Sequence, residues 1–537
     1  MTAPAPLTHR QVMTVLSGLL LGMFLAALDQ TIVSTAMRTI ADELDGQTAQ
    51  AWVTTSYLIA STITTPLYGK LSDQYGRKPF YVFAILVFLV GSVLCGTAQS
   101  IYELAAYRAV QGIGAGGLMS LAFAIVGDLV SPRERGRYQG WFMAVFGTSS
   151  VLGPVIGGAF AGQASLLGID GWRWIFYLNV PIGLVALLVV LKKLHLPRRV
   201  NEHRIDFVGA ALLTSAVVPL LLVAEQGREW GWGSGLTLGM VALSLGSLAA
   251  FVPWEKRLGP EAILPMRMFS SSVFSITSVT SLLVGAAMFG GLVVVPLYLQ
   301  IVRGASPTAA GLQMIPLMAG IFVTSTVSGR VMSRTGRYKP LPVVGTALMF
   351  VALMALSTIG ADTPLWQVMS YIAVMGMGLG LSMQTLVISV QNALPPRDMG
   401  VATSSVTFFR SMGGTFGAAV SLAVLFGSLA GNIQERAAQA GLPPEVLERF
   451  SKASALDDTS IIATLPEAVR RAVLEGFADS MATVFFVVGL LLIPAFVLAL
   501  LVKELPLRSE GGLAAAHADA DEQARLRTTE TESAIVV

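Results

Sequence analysis

The sequence predicts an all-α polytopic membrane protein, and three observations lead to that prediction. Charged residues make up 12% of the 537, and mean hydropathy is +0.69, whereas a soluble domain carries roughly 25% charged residues. Apolar runs long enough to cross a bilayer, about 20 residues each, recur along the whole chain. Lys and Arg concentrate in alternate connections between these runs. So little charge cannot cover a large water-facing surface, so most of the chain faces lipid.

Fourteen apolar runs define the predicted spans. The first run contains Asp29 and lacks an A-x-A-type cleavage site, so we interpret it as a retained helix rather than a secretory signal. The predicted spans cover residues 12–36, 50–69, 79–98, 101–129, 138–162, 174–194, 206–225, 236–254, 273–301, 308–329, 340–359, 366–391, 401–427 and 477–502.

The distribution of Lys and Arg predicts the orientation of these spans. With the N-terminus inside, the short cytoplasmic connections hold 19 of the 35 Lys and Arg, and the short outer connections hold four. This alternation follows the positive-inside rule, and one span more or fewer would invert it beyond that point. Both termini are therefore expected in the cytoplasm, with the protein in the inner (cytoplasmic) membrane of a prokaryote.

An internal repeat indicates how the spans are grouped. The string GKLSDQYGRK at residues 69–78 is related to GRVMSRTGR at residues 329–337, and both lie at a tight turn between two spans. Such repeats indicate two related six-helix halves. The predicted parts are an N-terminal half at 1–200, two inserted helices at 201–262, a C-terminal half at 263–506 with a polar outer loop at 428–476, and a disordered cytoplasmic tail at 507–537.

Several strings resemble one known family. Residues 69–78 match every position of G-x-L-[SA]-D-x-x-G-R-[RK], the loop signature of the major facilitator superfamily. LDQTIV at 28–33, RAVQG at 108–112 and GPVIGG at 153–158 resemble the first-, fourth- and fifth-helix motifs of its fourteen-helix drug/proton antiporters. The resemblance covers about residues 12–502. It implies the major facilitator fold, with two inserted helices, and multidrug efflux in exchange for protons.

Composition excludes several other kinds of protein. Cys95 is the single cysteine, and none of the four histidines lies in an apolar run. A disulfide scaffold, a thiolate metal cage and a membrane histidine relay are therefore excluded. The net charge of +3 is too small to indicate a nucleic-acid partner, and no Walker A string appears. No cofactor or metal is expected, and a proton gradient is expected to supply the energy.

Asp29 and Arg108 are the candidate proton-coupling residues. Asp29 lies seven residues from the outer end of its span, a depth of ~10 Å, and Arg108 lies at about the same depth in span four. An intramembrane charge is costly and is usually paired or turned toward a cavity. We expect the two residues to pair, with Asp29 taking up a proton. The alternative is an ion pair that only positions two helices.

The loop signature supplies a candidate cytoplasmic gate. Its residues are Gly69, Asp73, Gly76, Arg77 and Lys78. The glycines permit a tight turn and close helix approach, and the charged side chains can cluster or meet a helix N-terminus. The family resemblance implies a latch that joins the halves on the inside when the protein opens outward. Positive-inside topology alone would explain the cations but not Asp73. The second string has Ser333 in place of Asp73, so a full latch is expected only at the first.

Span five carries the antiporter helix motif. Its residues are Gly147, Gly153, Pro154, Gly157 and Gly158. Pro154 is expected to kink the helix, and the glycines are expected to form a flat face for close packing. The family resemblance implies that this kink takes part in conformational change, and a static packing kink is the alternative.

A further set of residues is predicted to line an adaptable cavity, although each could instead face lipid or a neighbouring helix. These are Tyr57, Gln111, Phe289, Tyr298, Gln384 and Arg410. Arg410 lies near mid-membrane, where Gln384 and Gln391 are candidate hydrogen-bond partners. Structural and functional roles for Arg410 are equally compatible with the sequence.

The sequence thus predicts a proton-coupled exporter of small amphiphilic compounds that works by alternating access, as a monomer in the lipid bilayer. Two alternatives stay open. One is an exporter of an endogenous metabolite, lipid or siderophore, or an importer, on the same fold. The other is a membrane enzyme or sensor without transport. An enzyme would show a cluster of interior acids, bases or metal ligands, and a sensor would carry a sizeable soluble domain.

Overall fold

The computed structural model describes residues 9–45, 49–194, 206–395, 398–441, 462 and 465–507. These residues form α-helices, two short 3₁₀-helices (Gly259–Glu261 and Met266–Ser270), a π-helix (Tyr298–Val302) and one short antiparallel hairpin of β1 (Ser165–Leu166) and β2 (Ile169–Asp170). The helices are α1 (His9–Glu43), α2 (Gln50–Tyr75), α3 (Arg77–Thr97), α4 (Ile101–Leu129), α5 (Pro132–Ala161), α6 (Arg173–Tyr177), α7 (Asn179–Lys193), α8 (Phe207–Trp230), α9 (Gly235–Leu258), α10 (Ser272–Leu297), α11 (Pro307–Gln313), α12 (Ile315–Thr335), α13 (Pro340–Leu356), α14 (Leu365–Ala393), α15 (Met399–Gln439), α16 (Glu467–Leu490) and α17 (Leu492–Leu501).

The lengths and apolar composition of the helices are those of a multi-pass membrane protein. Within the described residues, twelve helical stretches are long and apolar enough to cross a membrane, and α13 is a shorter apolar helix. Four of the stretches join two consecutive helices: α6 with α7, α10 with the π-helix Tyr298–Val302, α11 with α12, and α16 with α17. Helix α2 is 26 residues long but rich in Ser and Thr, and it is not among the twelve. Every predicted span overlaps a helix, while the count of fourteen crossings stays a prediction.

Helix packing repeats between the two parts of the chain. In the first part α2 and α3 pack against α4, and α1 packs against α5. In the second part α12 and α13 pack against α14, and α10 packs against α15. This correspondence has the form expected for two related halves, although the predicted domain boundaries stay predictions. Many large apolar side chains, among them Phe83, Val90, Leu188 and Leu243, point away from the bundle, as lipid-facing residues do.

Close contacts between α5 and α12, and between α2, α4 and α15, join the two halves. A Cβ at Gly69 would lie 2.0 Å from the Ser404 Oγ and 2.8 Å from the Gly400 carbonyl oxygen, so glycine is required there. Helix α8 of the inserted pair packs on both α2 and α15. Since lipid provides no hydrophobic drive for helix association, such small-residue contacts are what bring membrane helices together.

Helices α15 and α16 both extend into the predicted polar segment at 428–476. Helix α15 continues to Gln439, and α16 already begins at Glu467. The two extensions are joined by Arg436, which donates to both carboxylate oxygens of Asp479 at 2.6 and 2.9 Å. Both helical extensions agree with the short helical pieces expected within this segment around residues 432–440 and 466–474. The outer position of the segment stays a prediction, and residues 442–461 lie outside the described residues. The predicted tail at 507–537 lies outside them beyond residue 507.

Candidate functional site

A fully buried polar network surrounds Asp29. Arg108 Nη1 donates to Asp29 Oδ2 at 2.5 Å and to Gln111 Oε1 at 2.7 Å. The other oxygen, Asp29 Oδ1, accepts from Gln111 Nε2 at 2.8 Å and from Asn179 Nδ2 at 2.7 Å. Ser92 Oγ accepts from the same two amides at 2.7 and 3.2 Å. Each of these side chains is at most 1% exposed. The carboxylate therefore has three donors, one of them charged.

Helices α1, α2, α3, α4 and α7 supply this network and its surroundings. The guanidinium of Arg108 lies 4.1 Å from the centre of the Tyr57 ring, a cation–π contact, and Tyr57 donates to the Ala26 carbonyl at 3.3 Å. Gly91 allows α3 to approach α4, because a Cβ there would lie 2.6 Å from the Gln111 backbone. The helices are thus close enough for short polar side chains to meet across them.

The predicted pair of Asp29 and Arg108 is present, while its coupling role stays a prediction. Gln111 is 0% and Tyr57 is 3% exposed, and both belong to the network around the pair. Their role in lining a cavity stays a prediction. Asn179 and Ser92 were not predicted as site residues. Asn179 carries a signal nonetheless, since an uncharged amide inside an apolar run needs a partner.

The gate loop joins the two halves through Asp73. Asp73 Oδ1 and Oδ2 accept from the backbone N–H groups of Gly400 and Val401 at 3.1 and 2.8 Å. These groups open α15, so the carboxylate caps a helix N-terminus of the other half. Arg77 pairs with Asp73 at 2.5 Å and with Asp128, at the end of α4, at 2.8 Å. We call Asp73, Arg77 and Asp128, with the first turn of α15, the latch contact.

Backbone geometry at Gly76 makes the latch contact possible. Gly76 ends α2 and begins α3 at φ 101°, a conformation that L side chains rarely adopt. At the second string, Gly336 also has a positive φ, but the Ser333 hydroxyl donates to the Arg330 carbonyl of its own helix. The expected contrast between the two loops is therefore visible in the geometry.

Lys78 does not belong to the latch contact, contrary to the expectation for a three-residue charge cluster. Its Nζ donates to the Leu191 carbonyl near the end of α7, at 2.8 Å in an exposed position. A lysine there favourably meets the C-terminal end of a helix, an effect worth about 0.3–1 kcal/mol. We expect Lys78→Met to keep at least half of the wild-type transport rate, whereas Asp73→Asn loses most of it. Initial rates in the same cells, normalised to protein amount, measure both, and equal losses would contradict the assignment.

Helix α5 uses its motif to pack against both halves. A Cβ at Gly153 would lie 2.6 Å from Thr31 Cβ, and one at Gly157 would lie 2.9 Å from the Ile32 carbonyl, both on α1. On its other side, Pro154 Cγ lies 3.7 Å from the Cβ position of Gly311, and the Cβ position of Gly147 lies 3.7 Å from Met318 Cβ. Gly158 has no atom within 4 Å of its Cβ position. Its predicted place in the flat packing face is therefore wrong, while the conformational role of Pro154 stays a prediction.

This difference between neighbouring glycines predicts a matched pair of results. Gly153→Ala is expected to lower the stability of the purified protein by about 1–3 kcal/mol, because α1 and α5 must separate. Gly158→Ala is expected to be neutral or to stabilise by up to about 1 kcal/mol, because alanine restricts the unfolded chain. Thermal unfolding in detergent measures both, and similar midpoints for the two variants would contradict the packing.

The remaining predicted cavity residues divide into packed and unpaired side chains. Tyr298 is fully buried and donates to the Gly360 carbonyl at 2.8 Å, and its role in lining a cavity stays a prediction. Phe289 packs over Gly414. Gln384 Nε2 is buried without a hydrogen-bond partner among the described residues.

Arg410 lacks the predicted glutamine partners. Arg410 makes no hydrogen bond or ion pair within the described part of the chain, and Gln391 instead donates to the Thr403 hydroxyl at 2.8 Å. Arg410 is half-buried, so its guanidinium is available to donate hydrogen bonds to a ligand.

A separate cavity of about 830 Å³ lies in the second half. Its wall includes Arg303, Arg470, Arg471, Phe426 and Phe477. Tyr298 directly follows Leu297, which lines this cavity, but neither Asp29 nor Arg410 lines it. The cavity is therefore not the predicted transport site.

Comparisons with known proteins place this geometry in a family. A sequence profile of the Major Facilitator Superfamily matches residues 19–418. The chain belongs to the Major Facilitator Superfamily. An uncharacterized MFS-type transporter of Mycobacterium tuberculosis is 38% identical over 95% of this chain and 71% of its own length. The multidrug transporter protein MdtP of Bacillus subtilis is 36% identical over 76% of this chain and 74% of its own length.

Solved structures show the same fold. The proton:xylose symporter XylE, bound to a bromodeoxyglucose, superimposes with a TM-score of 0.60 at 16% identity, over 95% of this chain and 99% of that one. At this identity the likeness concerns the fold alone. Family membership, relatives and fold together indicate a membrane transporter rather than an enzyme.

Proposed function

We propose that this transporter exports small amphiphilic compounds in exchange for protons by alternating access. The observation that carries the proposal is the Asp29 network: an acid with three donors, buried beside an arginine within a membrane helix. Intramembrane acids are costly and mark proton or ion pathways. The relative MdtP is named a multidrug transporter, which supports drug-like substrates.

The network provides a means of coupling protonation to helix movement. In the ionised state Asp29 holds α1 to Arg108 on α4 and to Asn179 on α7. A proton on Asp29 removes the charge that attracts Arg108, which keeps Gln111 Oε1 and the Tyr57 ring as neighbours. Protonation therefore weakens the contact between α1 and α4 without leaving the guanidinium wholly unsolvated.

The latch contact provides the second element of the cycle. It closes the end of the bundle that carries residues 69–78, which is the predicted cytoplasmic end. Alternating access then requires that Asp73 leave the first turn of α15 when the opposite state forms. We place the transporter in the cytoplasmic membrane of a prokaryote, as a fourteen-helix monomer with both termini in the cytoplasm.

Arg410 favours a second candidate, the export of an endogenous anionic metabolite, lipid or siderophore. Its guanidinium has no carboxylate partner within the described residues, so a substrate anion could supply one. If so, Arg410→Gln should reduce transport of anionic compounds at least tenfold and leave cationic compounds nearly unchanged.

Dye efflux from cells tests the proposed function. Cells expressing the protein are loaded with a lipophilic cation such as ethidium, with a neutral dye or with an anionic dye. Efflux above that of empty-vector cells is expected, and a protonophore should abolish it. Efflux that persists when the gradient collapses would contradict proton coupling, and anion-only efflux would favour the second candidate.

A further inference from the structure

Two buried carboxylates meet at one end of the inserted helices. Asp206 stands at the N-terminus of α8, and Glu255 lies in the last turn of α9. Asp206 is 5% exposed and Glu255 is 0% exposed. Neither forms a salt bridge within the described residues, so no ion pair offsets a negative charge on either carboxylate there.

Each carboxylate satisfies one oxygen and leaves the other without a donor. Asp206 Oδ1 accepts from the Gly209 N–H at 2.7 Å and from the indole of Trp254 at 2.9 Å. Glu255 Oε2 accepts from the Leu264 N–H at 2.9 Å. The remaining oxygens, Asp206 Oδ2 and Glu255 Oε1, are buried without a hydrogen-bond partner.

The two unpartnered oxygens face the same small space. A Cβ placed on Gly209 would lie 2.0 Å from Asp206 Oδ2 and 2.6 Å from Glu255 Oε1. Glycine at this position therefore leaves room for both oxygens, and any side chain would displace them. Two ionised carboxylates this close and this buried would repel each other strongly.

We propose that Asp206 and Glu255 form a proton-binding site that holds one proton between Asp206 Oδ2 and Glu255 Oε1. With a single proton on Glu255 Oε1, this oxygen donates to Asp206 Oδ2, so that both oxygens gain a partner and one of the two negative charges is removed. Asp206 lies at the N-terminal end of α8, which favours negative charge, whereas Glu255 lies in the last turn of α9, which disfavours it, so Glu255 carries the proton. The inference rests on burial and geometry and does not depend on the proposed function.

The surrounding charges connect this pair to the latch contact. From α2, Lys70 interacts electrostatically with Glu255, and also with Asp73 and Asp398 near the first turn of α15. The neighbouring Lys256 and Arg257 are exposed, and Arg267 from the connecting turn pairs with Asp398 at 2.8 Å. Lys70 therefore interacts electrostatically with carboxylates of both the Asp206–Glu255 pair and the latch contact.

Infrared spectroscopy of the purified full-length protein in lipid nanodiscs tests the proton directly. Wild type is expected to show a protonated-carboxyl C=O band. Glu255→Gln should remove this band, because glutamine has no carboxyl group. The variant should still fold, because the glutamine amide can donate to Asp206 Oδ2. Asp206→Asn should lose the band at a lower pH than wild type, because the like charge is gone. Glu261→Gln, an acid six residues away that lies outside the pair, should leave the band unchanged.

The outcomes separate the proton from its alternatives. If the spectra of wild type and Glu255→Gln show the same protonated-carboxyl bands, the proposal is overturned. Binding of Na⁺ or Mg²⁺ to wild type but not to Glu255→Gln would also overturn it. As a further test, Lys70→Met should raise the pH at which the band disappears, because a nearby cation favours the ionised pair. An unchanged or lower pH in that variant would contradict the arrangement of charges.

Discussion

Asp29→Asn is expected to export at less than a tenth of the wild-type rate under an imposed pH gradient. An asparagine cannot take up the proton, and its amide would face the Arg108 donor. Removing one partner of a buried ion pair also destabilises by about 3–5 kcal/mol, so lower protein amounts have to be corrected for. Initial rates of dye efflux from vesicles, normalised to inserted protein, measure the effect.

A double variant separates coupling from a purely structural pair. Asp29→Asn with Arg108→Gln removes both charges and should recover stability, because no buried charge is left unpaired. If Asp29 carries the proton, the double variant stays inactive. If the pair only positions α1 and α4, the double variant regains transport. Asp170→Asn, an acid on the hairpin whose side chain is 47% exposed, serves as the control and should keep wild-type rates.

Asp73→Asn is expected to open the end of the bundle that the latch contact closes. The substitution weakens two charge-assisted bonds to the first turn of α15, and Asp128 then remains as the carboxylate partner of Arg77 among the described residues. A shift of about 1.4–2.7 kcal/mol corresponds to a 10- to 100-fold change in the ratio of the two states. A single thiol at Ser404, which is 1% exposed between the halves, reports this change in a Cys95→Ala background.

Labelling of the Ser404→Cys thiol by a water-soluble maleimide should be at least tenfold faster with Asp73→Asn. The matched control is Ser333→Asn, at the corresponding position of the second string, where no ion pair to the other half exists within the described residues. Its labelling rate should equal that of the parent. Equal rates for all three proteins would show that the latch contact does not hold the closed state.

The sequence was informative wherever the bilayer itself imposes the pattern. Spans are visible because a helix must bring about 20 apolar residues across the membrane, and Asp29 and Arg108 could be paired because intramembrane charges are rare and their depths agree. Asp128 was missed as a partner of Arg77 because it lies 51 residues further on, at the end of α4. The approach of α3 and α4 that joins them is a matter of tertiary packing.

The rotational position of each residue about its helix axis determines which neighbour its side chain faces, and this position could not be predicted from the sequence. Successive residues of a helix are turned by about 100°, so Gly157 faces α1 while Gly158 faces away. For the same reason Gln111 points to Asp29, and the Tyr57 ring lies against Arg108. Apolar runs alone do not specify rotation, because every side of a buried membrane helix is apolar.

Paired ion and substrate fluxes test the central claim, that Asp29 exchanges protons for substrate, most directly. The purified transporter is reconstituted into vesicles with a trapped pH indicator, and a substrate from the efflux assay is added without a gradient. Wild type is expected to move protons against the direction of substrate flux, and Asp29→Asn to abolish this proton movement. Substrate flux in wild type without any accompanying proton movement would contradict the account.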